Sequence, residues 1–161
     1  MIAIRDFEAA DAAAVNRVVL AAWAEFEGVF SGFAGLALRL GAAAALAGEV
    51  ELIVAAVNGA VAGAVGYVPP HGRREPMFPP EWALVRLLSV APSAHGLGIG
   101  RRLSEECIAR ARRDGALAVG LHTSPAMRVA LPRYLRLGFE FDREIPARHG
   151  VPYALYELTL G

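Results

Sequence analysis

Three glycines alternate with other residues at positions 96, 98 and 100, between a strand-like stretch and a helical pattern. Because glycine has no Cβ, a bend built from it lets successive backbone N–H groups approach one point. At the start of a helix, such N–H groups and the helix dipole together attract an anion. The spacing therefore predicts a site for phosphate or pyrophosphate, and the alternative is a glycine-rich turn that binds nothing.

Two common nucleotide sites fit the residues after this loop poorly. A Walker A loop requires Lys and then Ser or Thr after its last glycine, but Gly100 is followed by Arg101 and Arg102. A dinucleotide fingerprint requires a third glycine where Leu103 stands, and an acidic residue about twenty residues later. His122 and Thr123 occupy that later stretch instead. The sequence thus disfavours ATP and NAD.

The segment from Val90 to Leu103 resembles the acyl-CoA-binding signature of the GNAT acetyltransferase family, whose core is Arg or Gln, two residues, Gly, one residue, and Gly or Ala. His95 stands at the Arg or Gln position. A second segment, Ala130 and the run Arg133 to Phe139, resembles the penultimate helix of the family, with its Tyr and its Gly-Phe ending; Met127 stands where many members have Asn. The likeness covers nearly the whole chain and implies one N-acetyltransferase domain over residues 1–161.

This resemblance implies that acetyl-CoA is the cosubstrate and locates its site. The pantetheine arm would pair with the backbone of the strand before the loop, and main-chain N–H groups there would polarise the thioester carbonyl. The pyrophosphate would lie on the loop, with arginine adding charge-assisted contacts. The implied cofactor-binding residues are Leu88, Ser89, Val90, His95, Gly96, Leu97, Gly98, Ile99, Gly100 and Arg101.

The resemblance also assigns Tyr134 as the acid that protonates the departing thiolate, with simple packing against the sheet as the alternative. No general base is evident, and Glu81, His122 or a water chain stay open. Cys107 repeats with Leu103 and Ala111 on one helix face, which indicates a buried structural thiol. The remaining histidines are scattered and show no metal-ligand spacing.

The expected reaction is acetyl transfer to a primary amine of a small molecule, by direct attack in a ternary complex. A non-catalytic acyl-CoA-binding or sensing module is the alternative. The family's acceptor segments contain many aromatic residues here, which fits a small and partly apolar amine. Glutamates could attract its ammonium group. The aromatic candidates are Trp23, Phe26, Phe30, Phe33, Phe78 and Trp82, and the acidic ones are Glu27, Glu75 and Glu81.

Hydrophobic periodicity locates the elements that must position these residues. Val15, Val18 and Ala22 recur at helical spacing, whereas Asn58-Gly59 between β-branched stretches predicts a tight hairpin. Ser124-Pro125 predicts the start of a helix that Gly138 ends. The predicted strands cover residues 2–5, 52–57, 60–68, 82–90, 117–123, 139–145 and 153–160. Four helices are predicted: one after Asp6, one over 36–47, one after Gly100 and one over 124–137. Residues 71–80 are predicted to form an exposed loop.

This order predicts an α/β domain with a largely antiparallel sheet and one parallel crossover, between the strands at 82–90 and 117–123. The family resemblance makes the expectation more specific. It implies a GNAT-like mixed, mostly antiparallel sheet of about seven strands flanked by four helices. The sheet would be splayed between its fourth and fifth strands.

Composition excludes several classes of function. Sixteen Lys+Arg balance sixteen Asp+Glu, so the chain lacks the basic excess of a nucleic-acid binder. The single cysteine allows no intramolecular disulfide and fits a reducing, cytoplasmic location. Residues 52–72 carry no charge, but the hairpin signal and Pro69-Pro70 argue against a membrane span. With these classes excluded, the partner that the family resemblance implies is a small-molecule amine, with a homodimer left open.

Overall fold

A seven-stranded sheet forms the centre of the computed structural model, which describes all 161 residues. Its strands lie in the order β1-β2-β3-β4-β5-β7-β6. Four α-helices flank it, joined by short 3₁₀ turns. The strands are β1 (Ile2–Asp6), β2 (Glu51–Val57), β3 (Ala60–Val68), β4 (Ala83–Val90), β5 (Ala118–Thr123), β6 (Glu140–Arg148) and β7 (Val151–Thr159), and the helices are α1 (Ala12–Trp23), α2 (Phe33–Leu40), α3 (Ile99–Arg113) and α4 (Ala130–Arg136).

The uncharged stretch after residue 51 is a central hairpin, as predicted. Asn58 and Gly59 both have positive φ, of 50° and 86°, and Val57 pairs with Ala60 across the turn. Such a turn matches the right-handed twist of paired strands, which is why Asn-Gly favours it. β2 and β3 lie inside the sheet, so their lack of charge reflects burial. None of the helices combines the length and the apolar composition needed to span a bilayer.

The helices cover the two faces of the sheet. α3 turns Ile99, Leu103 and Cys107 inward, all nearly inaccessible to solvent, and they pack on one face together with Tyr134 of α4. α1 and α2 bury Val15, Val19 and Leu36 on the opposite face. Each helix thus buries one apolar stripe, which is the pattern that stabilises a two-sided α/β layer structure.

β4 and β5 form the parallel pair that the crossover predicted, and they diverge as expected. Only Ala83 with Val119 and Leu84 with Gly120 are paired. Beyond Leu84 the strands separate, so the rest of β4 lacks a β5 partner. The other strand pairs are antiparallel. The mixed sheet, the four α-helices and the splay between the fourth and fifth strands are confirmed.

Several predicted boundaries are wrong, each for a local reason. α2 ends at Leu40, where the Gly41 N–H donates to Ala37 O, and 3₁₀ turns follow over Ala43–Gly48. α4 starts at Ala130 because Ser124 closes a separate turn, in which its Oγ accepts from the Ala126 N–H at 3.2 Å. Pro132 is then the third residue of α4, where an N–H would have no helical partner.

The last two strands are longer than predicted. β6 continues through Pro146 to Arg148, and β7 begins at Val151. A register shift between Ile145 and Arg148 accommodates the proline. β6 is an edge strand, where a missing N–H removes no interior hydrogen bond. The connection between the two strands, which the predicted bounds left as residues 146–152, is therefore a tight hairpin turn at His149-Gly150, both with positive φ.

Candidate active site

The opening between β4 and β5 is a cleft of about 550 Å³. Because side chains alternate along a strand, its two halves face different helices. Val85 and Leu121 point toward α3 and α4, together with Tyr134. Neighbouring positions point toward α1 and α2, where Trp23 and Tyr153 line the other half. The cleft therefore passes through the sheet and is open to both faces.

The glycine loop lies at the α3 side of this cleft and is exposed. Gly96 and Gly98 have φ of 84° and 78°, and a Cβ at either would meet nothing within 4 Å. The backbone N–H groups of residues 96–101 donate to no backbone carbonyl. The next N–H that does so is that of Arg102, which donates to Gly98 O at 3.1 Å. The intervening N–H groups include the first turn of α3, which has no partners within its own helix. They are available to an anion.

The sequence-predicted cofactor residues fall into three environments. Leu88, Val90 and His95 line the cleft. Ile99 and Gly100 are buried at the start of α3, whereas Leu97 is 51% exposed. Arg101 lies on the surface and forms an i,i+4 pair with Glu105, at 3.5 Å. The structure thus brings the strand and loop residues to one side of the cleft, with Ser89 turned to the other.

Arg133 is a residue that the sequence motifs did not single out for the site. Its guanidinium lies directly over Gly100, where a Cβ would overlap it. The half-buried cation forms no ion pair, and burial lowers the pKa of Arg133. A guanidinium without a carboxylate, held at the positive end of a helix, is electrostatically unfavourable unless an anion joins it. The sequence around Arg133 gives no signal of this position, because the contact between Arg133 and Gly100 arises from the packing of α4.

β4 contains a bulge in the middle of the cleft wall. Arg86 pairs with Gly66 and Ser89 with Ala64, so Leu87 and Leu88 oppose a single residue of β3. Leu87 has φ of 56°, a left-handed conformation that costs about 1 kcal/mol for a leucine. Ser89 Oγ donates to Leu87 O and accepts from Trp23 Nε1, both at 3.1 Å. These bonds hold the bulge and re-aim its main-chain groups.

Tyr134 lies under the cleft on the α3 side. Its ring is 5% exposed and meets Phe139 edge-to-face, with centroids 5.5 Å apart. Its hydroxyl forms no hydrogen bond within the protein. Burial raises the pKa of the Tyr134 phenol, so the group carries its proton at physiological pH. A neutral phenol with a free O–H can donate to an atom placed in the cleft.

Three side chains from separate segments form a fixed group on the α1 side. Arg148 donates to both carboxylate oxygens of Glu75, at 2.6 and 3.3 Å. His122 Nε2 lies 3.5 Å from Arg148 Nη1 and 3.9 Å from Glu75 Oε1. An arginine nitrogen only donates, so Nε2 faces it as a lone pair. The Arg148 hydrogen bond holds the pKa of Glu75 below its usual range.

His122 is poorly suited to act as a general base. Burial, followed by the charge of Arg148, lowers the pKa of His122 to about 4. Its Nδ1 is buried without a hydrogen-bond partner. A proton accepted at Nε2 would create a second cation beside Arg148, which is electrostatically unfavourable. The neutral ring instead packs against Phe78 and Tyr153, at centroid distances of 6.1 and 5.6 Å.

The acceptor residues expected from sequence are only partly brought together. Trp23 and Phe26 line the cleft, with ring centroids 5.7 Å apart, and Phe30 supports them from the core. Glu75 lines it too, but Arg148 already holds that carboxylate. The cleft lining does not include Glu27, Glu81, Phe33, Phe78 or Trp82.

Cys107 is fully buried in the core below α3, as its helical spacing predicted. Burial raises the pKa of its thiol to about 12, so the protonated form dominates. The cysteine packs with Leu103 and Ala111 and does not line the cleft.

The chain matches the model of the family described as the acetyltransferase (GNAT) family over residues 21–139. This segment runs from α1 through α4 and contains the loop, the bulge and Tyr134. No curated protein matches the chain.

Solved structures share the fold over almost the full length. A GCN5-related N-acetyltransferase from Kribbella flavida has a TM-score of 0.77 and 24% identity, with 99% of this chain and 98% of that chain covered. The PaiA N-acetyltransferase from Thermoplasma acidophilum, in complex with coenzyme A, has a TM-score of 0.79 and 16% identity, with 99% of each covered. A GNAT family acetyltransferase from Brucella melitensis, in complex with acetyl-CoA, has a TM-score of 0.68 and 24% identity, with 100% and 89% covered.

Proposed function

We propose that this chain, which belongs to the GNAT acetyltransferase family and is an acyltransferase, moves the acetyl group of acetyl-CoA to a primary amine of a small molecule. The observation that carries the proposal is the separation of β4 from β5 beyond Leu84, directly before a loop of unpartnered N–H groups. A thioester cosubstrate with a diphosphate at its far end fits both features. The relatives from Thermoplasma acidophilum and Brucella melitensis, in complex with coenzyme A and acetyl-CoA, support the choice of cosubstrate.

The diphosphate would lie on the N–H groups of residues 96–101. Phosphate oxygens accept such bonds well at a helix N-terminus. Arg133 would add a charge-assisted contact from above Gly100, and the anion would compensate its unpaired charge. His95 and Arg101 lie at the two ends of this surface.

The pantetheine arm would run along Leu88, Ser89 and Val90, where β4 lacks a β5 partner. Free main-chain groups of β4 would pair with the amides of the arm, as a strand would. The bulge at Leu87 would direct an N–H toward the thioester carbonyl and stabilise the oxyanion that forms on attack. The Ser89 and Trp23 hydrogen bonds hold that geometry before the substrate arrives.

Transfer would proceed by direct attack in a ternary complex. The neutral amine nitrogen forms a bond to the thioester carbon, and the carbon–sulfur bond then breaks. The leaving thiolate takes the proton of the Tyr134 hydroxyl, and the attacking nitrogen loses a proton. Glu81 lies outside the cleft lining and His122 faces Arg148, so a water chain to solvent is the route for that second proton. Tyr134 regains a proton from solvent through the same water chain.

Steady-state release of coenzyme A thiol, measured with a panel of primary amines, tests this function. We expect turnover with small, partly apolar amines. Calorimetry with coenzyme A runs beside it. Binding without turnover would favour the non-catalytic acyl-CoA-binding module, and the absence of binding would contradict both. A homodimer and a cytoplasmic location stay predictions.

A further inference from the structure

The acceptor-facing half of the cleft carries more positive than negative charge. Apart from Arg133, six charged residues line the cleft. Arg148 and Glu75 neutralise each other through two hydrogen bonds. One carboxylate and three guanidinium groups are left. The six residues are Glu25, Arg39, Glu75, Arg86, Arg128 and Arg148.

Arg86 is the cation of this group that the cleft strand β4 carries, and its side chain is exposed. It pairs through its backbone with Gly66 and shares the sheet face of His122. Its side chain forms no ion pair and no hydrogen bond, although it lines both the main cleft and an adjoining cavity of about 270 Å³. Its charge adds to the larger effect of Arg148 in lowering the pKa of Glu75. A free guanidinium therefore faces open space beside a carboxylate that is already bound.

The position of Arg86 relates this cation to the reaction. It immediately precedes Leu87, and consecutive Cα atoms are about 3.8 Å apart. The main-chain groups proposed to hold the thioester carbonyl begin at that next residue. Arg86 and the proposed oxyanion site thus belong to the same stretch of β4, and one small acceptor can reach both the acetyl carbon and the Arg86 side chain.

Coenzyme A does not supply this anion in the proposed arrangement. Its diphosphate lies at residues 96–101, on the side of α3 and α4, together with Arg133. Arg86 points to the other face of the sheet, toward α1 and α2. The anion must therefore belong to the acceptor.

We propose that the acceptor is a primary amine with a carboxylate close to it, as in an α-amino acid, and that Arg86 binds this carboxylate. This inference rests on the proposed function and specifies its substrate class. The apolar remainder of the acceptor lies against Trp23 and Phe26, whose edge-on rings offer a large apolar surface. Guanidinium suits a carboxylate because its planar fork donates two parallel bonds.

Paired acceptors that differ only in the carboxylate test the proposal. L-phenylalanine is compared with 2-phenylethylamine, and L-leucine with 3-methylbutylamine, by thiol release from acetyl-CoA. We expect kcat/KM to be about tenfold or more higher for the amino acid, the factor that a charge-assisted hydrogen bond supplies. Arg86→Gln should abolish that ratio. Arg17→Gln is the matched control, because Arg17 is exposed on α1 outside both cavities.

Binding of the products gives a second readout that does not require turnover. N-acetyl-L-phenylalanine should bind the coenzyme A complex at least about tenfold more tightly than N-acetyl-2-phenylethylamine, and Arg86→Gln should remove the difference. Equal kcat/KM within each pair, equal binding of the two products, or no binding of either would overturn the assignment. Turnover without a carboxylate preference would leave the acetyltransferase function standing. If the unmodified protein does not bind coenzyme A, this result would instead contradict the proposed function.

Discussion

Arg133 and Tyr134 are adjacent residues of α4 that both line the cleft, one charged and the other neutral. Arg133 is a cation that has no carboxylate partner and lies over the first turn of α3. Tyr134 is a neutral phenol that burial keeps protonated. One is suited to hold a phosphate and the other to give up a proton. Substitutions at these two positions should therefore separate binding from chemistry.

Tyr134→Phe should lower kcat about 100-fold, the usual contribution of a positioned general acid, because the thiolate would leave without its proton. The dissociation constant of coenzyme A should stay within about twofold, since the ring still packs on Phe139. Assays of thiol release measure kcat, and calorimetry measures the dissociation constant. Tyr156→Phe is the control, because Tyr156 is buried away from the cleft. Equal losses of turnover and binding would count against Tyr134 as the proton donor.

Arg133→Gln should raise the dissociation constant of coenzyme A about tenfold, because one charge-assisted phosphate contact is lost. The effect should weaken as salt screens the charge. Arg136→Gln is the matched control on the same helix, since Arg136 is exposed and lies outside the cleft. Kinetics with acetyl-S-pantetheine, which carries no phosphate, should not respond to Arg133→Gln. A similar loss with that thioester would mean that Arg133 acts through packing.

At the scale of elements, the glycine loop, the β4 bulge and the β4–β5 splay are three backbone devices that create one site. The loop and the hairpin could be predicted, because glycine spacing and Asn-Gly act locally. The bulge could not. Leu87 is a leucine with positive φ, and neighbouring hydrogen bonds from Ser89 and Trp23 hold it there. The start of α4 was also missed, because Ser124-Pro125 suits a turn as well as a helix.

Gly98→Val should raise the dissociation constant of coenzyme A about tenfold or more while the protein still folds. Gly98 has φ of 78°, and a branched side chain would stand in the space proposed for the diphosphate. The strain alone should cost about 1–2 kcal/mol of unfolding free energy. Gly115→Val is the matched control, because Gly115 also has positive φ, of 70°, and open space. If both variants weaken coenzyme A binding equally, the loop has no specific role in it.

At the scale of the whole molecule, the acceptor half of the cleft is assembled from segments far apart in the chain. Glu75, Arg86, His122 and Arg148 come from a loop and three different strands. Because of this sequence separation, the glutamates expected from the family's acceptor segments lie only partly in the cleft lining. Glu27 and Glu81 carry the right charge but lie outside the cleft lining. Fold class and cofactor loop follow from local patterns, whereas this group depends on tertiary packing.

The stability of the fold should fall as pH drops from about 6.5 toward 4. The pKa of His122 is about 4 in the folded protein against an ordinary value of 6.5, so the unfolded chain binds the proton first. The free energy of unfolding is therefore highest above pH 6.5 and declines through this window. Urea unfolding at several pH values measures the slope, and His122→Gln should reduce it between pH 6.5 and 4.5, while His149, whose pKa burial also lowers, keeps part of it. An unchanged slope in that variant would show that other groups control it.

A crystal structure of the protein with bound coenzyme A tests the central claim most directly. We expect diphosphate oxygens at about 3 Å from main-chain nitrogens between residues 96 and 101, with the thiol in the β4–β5 opening above Tyr134. A complex in which the diphosphate binds elsewhere and that loop contacts no ligand would contradict it.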